Sequence, residues 1–275
     1  MKHTRCLSSL LALLILCSVL FSVAGNTCLA EENDPAEPAA RLISDEEIDS
    51  GKYDPFYANT LFFGDSLIKS FNNYGYTHKV DGKFLGGATF VFKVGIPVRF
   101  SLTSWLSFRG NNVRIMDIVN MLEIDRIVIF LGVNDNAGIY HAATLGHFSD
   151  LIDAIHEAKP DVEIVILALI PLAQSYCKKC GYSIDKWNSF NVGLRKLCVE
   201  KGVGYLDFTG SLKNDNGYLD KSMCGDNKYH LTAKGNDVFL RSVRVYAMLR
   251  TEENAAYAGE TLLDIVLPKD AAPVQ

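Results

Sequence analysis

Thr60-Leu61-Phe62-Phe63-Gly64-Asp65-Ser66-Leu67-Ile68 is a short apolar run that breaks on Gly-Asp-Ser and then resumes, with Phe71 continuing the apolar face. The pattern predicts a buried strand that turns directly into a helix, with a serine at the junction. A side chain placed there projects past the sheet edge. The helix start behind it carries N–H groups without intrahelical partners and the positive end of the helix dipole. Negative charge developing on a bound group would be stabilised at that point. Gly-Asp-Ser is also ordinary turn chemistry, so the tripeptide alone does not decide a function.

Outward from this stretch the chain alternates strand and helix. Phe84 to Thr89 puts the paired glycines Gly86 and Gly87 after an expected second strand. Asn111 to Leu122 has helical period and leads into a buried strand at Arg126 to Leu131, which runs into Gly132-Val133-Asn134-Asp135. Leu145, Phe148, Leu151, Ile152 and Ile155 mark another helix, ended by Pro160. Val162 to Ile170 reads as a strand buried on both faces, Trp187 to Leu197 as a helix and Gly204 to Phe208 as a strand. A last helix covers Gly235 to Leu249, with Phe239, Val243 and Tyr246 inward. Parallel strands need crossover helices, so the alternation predicts an α/β fold, a parallel sheet covered on both faces. In such sheets ligands bind beyond the carboxyl ends of the strands.

Four blocks fall in order along the chain: Gly64-Asp65-Ser66, the glycine pair, Gly132-Val133-Asn134-Asp135, and Asp226 four residues before His230. In this order they resemble the SGNH hydrolase family, the GDSL esterases and lipases, over residues 59–250. The resemblance implies a three-layer α/β/α sandwich with a flavodoxin-like parallel sheet. It also implies an oxyanion hole made by the backbone N–H of Ser66, the backbone N–H of Gly87 and the side-chain amide of Asn134. Gly87 fits better than Gly86 because Ala88 and Thr89 follow it as a small residue and a threonine follow the family's glycine.

The residue types supply the remaining chemistry. A serine hydroxyl becomes a useful nucleophile when a base takes its proton during attack, and imidazole is the base that titrates near neutrality. His230 is the candidate base. A carboxylate on its other ring nitrogen would fix the tautomer and stabilise the imidazolium, the role expected of Asp226. The family spacing is D-x-x-H, whereas Asn227 occupies the position three before His230. Either the loop absorbs one extra residue and Asp226 is the partner, or Asn227 is. Asp135 is expected to be structural or to order its loop. The other histidines lie in surface patterns, and no metal-ligand spacing or cofactor motif is present, so no metal or cofactor is expected.

Lys2 and Arg5 precede the apolar run Leu10 to Ala24, small residues and then the acids Glu31, Glu32 and Asp34. This is the pattern of an export leader over residues 1–30, cleaved after Ala30 or Ala24. The run is shorter than the roughly 20 residues of a membrane span, and neither Cys17 nor Cys28 follows the small residues of a lipoprotein signal. Secreted or extracytoplasmic location without a stable membrane anchor is therefore expected. Residues 31–58 read as an acidic, solvated linker and 251–275 as a C-terminal tail. Without Lys2 and Arg5 the net charge goes from −5 to −7, which opposes nucleic-acid binding, and no basic run exists to neutralise phosphates. In an exported chain, Cys177, Cys180 and Cys224 are candidates for a disulfide and Cys198 for a buried thiol.

These features point to a serine esterase acting on short acyl esters, small or carbohydrate-linked, with O-acetyl groups on carbohydrate or cell-wall polymers foremost. The alternatives are a lysophospholipase or thioesterase, an O-acetyltransferase, or a glycan-binding protein of the same fold. Phe90, Phe92, Pro97, Phe100, Trp105 and Phe108 form an aromatic-rich stretch that could line a pocket, stack on sugar, or belong to the core.

Overall fold

The computed structural model describes residues 40–259 and 263–268. The leader expected at residues 1–30 and the first part of the linker lie outside them. Six strands form the central sheet: β1 (Thr60–Gly64), β2 (Thr89–Phe92), β3 (Arg126–Phe130), β4 (Glu163–Leu167), β5 (Gly204–Asp207) and β6 (Asp264–Val266). Their order across the sheet is β6-β5-β4-β3-β1-β2. The pairs from β2 to β5 are all parallel, and β6 alone is antiparallel to its neighbour. Every residue of β1 and β3 is buried, which is why they read as continuous apolar runs rather than alternating ones.

After a one-turn helix at Asp45–Asp49, the longer helices are α1 (Ser66–Tyr74), α2 (Ile115–Met121), α3 (His141–Ala158), α4 (Gln174–Cys180), α5 (Ile184–Lys201) and α6 (Ala233–Thr251). The mostly parallel sheet with flanking helices is the α/β/α arrangement expected from the alternation. An aromatic cluster holds the two helices that matter most for the site. Phe239 of α6 stacks on Phe71 of α1 with centroids 3.9 Å apart, and it also meets Phe130 at 5.3 Å and Phe208 at 5.0 Å. Such pairs contribute roughly 0.5–1.5 kcal/mol each beyond area burial. They fix the helix that begins at Ser66 against the helix that follows His230.

Three expectations need correction. Residues 41–58 are not a solvated linker: Arg41–Ile43 form a short strand, Asp45–Asp49 a helix and Asp54–Tyr57 a 3-10 turn. Ile43, Ile48 and Tyr57 are buried, and Asp54 forms a buried pair with Arg244 at 2.7 Å. The acids that made the segment look solvated are in part consumed by cations, as Glu47 is by Arg41 and Lys52. The C-terminal tail also takes part in the fold, since Ala255–Tyr257 pairs in parallel with Arg41–Ile43 and β6 closes the sheet edge. Finally, the N-terminal part of the stretch expected to be helical, Asn111–Val113, pairs as a hairpin with Leu106–Phe108, and α2 begins only at Ile115.

Candidate active site

The break at Gly64-Asp65-Ser66 has a steric and a capping cause. A Cβ at Gly64 would lie 2.4 Å from the Phe130 carbonyl and 2.5 Å from the Ile68 side chain, so only glycine lets β1 end this close to β3 and α1. Asp65 is the N-cap of α1, its Oδ1 accepting the Leu67 N–H at 2.8 Å. Ser66 is thereby the first helical residue, half-buried beyond the carboxyl end of the central strand, and its N–H lacks an intrahelical acceptor.

His230 reaches Ser66 from a separate loop: its Nε2 lies 2.8 Å from Ser66 Oγ, and its Nδ1 lies 2.6 Å from Asp226 Oδ2. The second oxygen of Asp226 collects the N–H groups of Lys228, Tyr229 and His230 at 2.8, 3.1 and 3.2 Å. Asn227, exposed and at φ 58°, takes the left-handed conformation that asparagine tolerates. The extra residue is absorbed in that turn, and Asp226, not Asn227, faces the imidazole. Burial disfavours ionisation of Asp226, but hydrogen bonds from His230 and from the backbone N–H groups of Lys228 and His230 outweigh it and hold its carboxyl below the usual value.

Asn134 follows β3 through Gly132, whose φ of 111° turns the chain, and sits in the short 3-10 turn Val133–Asp135. Its Nδ2 donates to Asp65 Oδ2 at 2.7 Å and more weakly to the Ile96 carbonyl at 3.3 Å. Asp65 is fully buried, and burial pushes its carboxyl up to about 7 against the lowering effect of the Leu67 N–H. Asp135, also buried, accepts the Val98 N–H at 2.7 Å, which ties the loop after β3 to the segment after β2. Asp65 acts in this network, a role not drawn from the sequence; the signal was its place between a strand and a helix.

Gly87 is not with these residues. It precedes β2 rather than following it, and the register pairs Leu61 with Thr89 and Gly64 with Phe92. Gly87 therefore lies at the amino end of the sheet, separated from Ser66 by at least the length of β1, about 13 Å at 3.3 Å per residue. Its N–H is taken by the Phe84 carbonyl at 3.0 Å. The glycine beyond the carboxyl end of β2 is Gly95, at φ 75° in a tight turn closed by the Ile96 N–H to the Lys93 carbonyl at 3.1 Å. Lys93 N–H bonds to the Gly64 carbonyl at 3.1 Å, so this turn adjoins the serine. Sequence reading favoured the Gly-Ala-Thr resemblance and overlooked Gly95, whose signal is its place after Phe90-Val91-Phe92.

The expected disulfide is absent among the described residues: Cys177, Cys180, Cys198 and Cys224 are all free. Cys177 is buried within α4, where burial pushes its thiol up to about 11, and Cys224 turns toward Asp226, Sγ to Oδ1 3.8 Å. Cys198 is a buried thiol, as its helical position indicated.

The match to the GDSL-like lipase/acylhydrolase family spans residues 62–238. Among similar solved structures, one from Streptococcus pneumonia named for platelet activating factor superposes with a TM-score of 0.52 at 20% identity, covering 74% of this chain and 92% of that one. A GDSL-like lipase from Bacteroides thetaiotaomicron gives 0.51 at 12%, covering 68% and 86%. At these identities the superpositions speak to the fold alone. No curated protein matches the chain by sequence. With the family match spanning the serine junction, the Asn134 turn and the loop to His230, the chain belongs to the GDSL-like lipase/acylhydrolase family.

Proposed function

We propose that the protein is an exported serine esterase that removes short acyl groups, O-acetyl groups on carbohydrate or cell-wall polymers foremost, through an acyl-enzyme on Ser66. The observation that carries this reading is the continuous hydrogen-bond chain Ser66 Oγ, His230, Asp226. His230 Nε2 takes the hydroxyl proton as Oγ attacks the ester carbonyl, and Asp226 steadies the imidazolium through Nδ1. The proton then passes to the departing alkoxide. Water, deprotonated by the same nitrogen, releases the acid and restores the serine.

Three donors serve the oxyanion in this reading: the Ser66 N–H at the start of α1, the Asn134 amide, and the Gly95 N–H in the role expected of Gly87. The weaker of the two Asn134 contacts, the one to the Ile96 carbonyl, is the one an oxyanion would displace. Export rests on the leader pattern of residues 1–30. The preference for short acyl groups rests on the lack of a long apolar lid segment in the sequence.

The test is hydrolysis of aryl esters from acetyl to palmitoyl, then of acetylated polysaccharides, by the wild type and by Ser66→Ala. Short-chain turnover that disappears in a folded Ser66→Ala protein supports the reading. Activity retained within about tenfold overturns the nucleophile. Preference for long chains would favour a lysophospholipase, and acyl transfer to added glycan in place of acetate release would identify a transferase.

A further inference from the structure

Residues 82–116 contain Lys83, Lys93, Arg99, Arg109 and Arg114 and no acid, in a chain whose net charge is −5. From Lys93 to Val98 the segment forms a wall against the site, and the hairpin that follows extends it. The wall is connected to the site by short links: Lys93 N–H to the Gly64 carbonyl, the Ile96 carbonyl to Asn134, and the Val98 N–H to Asp135. Lys93 Nζ also donates to the Trp105 carbonyl at 3.2 Å, bringing the following hairpin against the same edge.

Cations and aromatic rings alternate on this wall. The guanidinium of Arg99 lies 4.9 Å from the Phe100 ring centre, that of Arg109 5.0 Å from Phe108, and that of Arg114 5.2 Å from Trp105. Trp105 is 58% exposed and Phe100 49%. Among the described residues Arg109 and Arg114 have no carboxylate partner. Arg99 has one long contact, to Asp135 at 3.6 Å, and the side chain of Asp117, the nearest acid in sequence, accepts the Arg114 backbone N–H. The forks of Arg109 and Arg114 are thus open, whereas each of the other arginines among the described residues meets a carboxylate.

We infer that this wall binds a carboxylate-bearing glycan, so that the ester substrate is an acylated uronate-type polysaccharide. The inference rests on the esterase reading above. A guanidinium fork matches the planar carboxylate in a bidentate way, and an aromatic ring accepts the C–H face of a sugar. In a uronate the charge is carried on the same ring that stacks, so one sugar can engage an aromatic ring and the guanidinium beside it. A phosphate polymer places its charge between units. A bilayer fits less well, because a guanidinium lies within 5.2 Å of each of these ring centres and insertion of the ring would carry that charge into the hydrocarbon.

The experiment measures affinity of the full chain for unacetylated polygalacturonate, for dextran, for a poly(glycerol phosphate) and for anionic phospholipid vesicles. Hydrolysis of an uncharged aryl acetate is followed in parallel. Polygalacturonate should bind best, with affinity falling as salt rises. Arg109→Gln with Arg114→Gln should weaken it by about tenfold or more, the loss of one or two charge-assisted hydrogen bonds, while aryl acetate turnover is unchanged. Equal binding to dextran, tighter binding to the phosphate polymer or to vesicles, or an unaltered double variant would each overturn the inference. Polygalacturonate binding without aryl acetate turnover would leave the binding wall standing and remove the esterase.

Discussion

The Asn134 amide donates to the Asp65 carboxylate across 2.7 Å, joining the residue that caps the Ser66 helix to the residue that follows β3. Asp65 uses one oxygen for the Leu67 N–H and the other for Asn134, so the orientation of the amide and the start of the helix are set by one buried group. Its replacement by asparagine retains an acceptor for Leu67 but turns an NH₂ toward the NH₂ of Asn134. Two donors cannot share that contact, and Asn134 must rotate. Asp65→Asn is therefore expected to lower kcat by about 10² with a much smaller change in KM, the pattern of a lost transition-state donor. A fall in KM-linked binding alone would contradict this positioning role.

Asn134→Ala should give a similar loss, about 10² to 10³ in turnover. Because Asp65 acts through Asn134, the double variant should be little worse than either single one. Steady-state kinetics of the cycle Asp65→Asn, Asn134→Ala decide the matter, and additive losses would show two independent roles.

The raised carboxyl of Asp65, at about 7 through burial, couples the site to pH. Below that value a proton on the carboxyl disrupts its acceptor role toward Asn134. The Asp65 carboxylate is then needed for turnover, so log kcat should fall with acid through an ionisation near 7, and that ionisation should disappear from the profile of Asn134→Ala. The stability sign is opposite. A carboxyl raised in the folded state contributes stability that is full below its unfolded value of about 3.9 and is lost as pH rises through about 7. Thermal melts should show Asp65→Asn gaining on the wild type over that interval.

Asp226→Asn should cost several powers of ten in kcat, roughly 10⁴ by the behaviour of triad carboxylates, because the amide favours the wrong imidazole tautomer. Asn227→Ala should leave kcat within a few-fold, its effect confined to the left-handed turn and worth about 1 kcal/mol in stability. Rates and melting temperatures of the two variants are the check, and the reverse ranking would move the partner to Asn227.

Both Gly87 and Gly95 have positive φ, 97° and 75°, so alanine strains either turn. Only Gly95 adjoins the serine. Gly95→Ala should lower kcat by about tenfold or more, whereas folded Gly87→Ala should keep turnover within about twofold. The opposite result would show that the glycine at the amino end of β2 influences the reaction.

Much of this was legible in the chain. Buried parallel strands such as β3 and β4 are continuous apolar runs, and the strand-to-helix break at Ser66 marks itself through glycine, a capping aspartate and an apolar face. The pairing of Asp226 with His230 followed from residue type despite the altered spacing. Gly87 was misplaced because Gly-Ala-Thr is a local likeness, whereas the glycine that matters is chosen by strand register, a long-range property. The order of residues 41–58 escaped notice for a related reason: their acids are neutralised by partners such as Lys52 and Arg244, the latter 190 residues away. Asp65 was legible as a turn residue only, since its second bond crosses 69 residues to Asn134.

The parallel pairing of Arg41–Ile43 with Ala255–Tyr257 also sets how the domain can be attached. These strands lie at the far end of α6, a 19-residue helix of about 28 Å that starts beside His230. β6 then runs back toward that same end, Val266 pairing with Tyr205. A tether or fused module joined directly at Arg41 or at Val266 thus departs from the pole opposite the serine. A form immobilised through those two points is expected to leave the approach of a long polymer chain unobstructed.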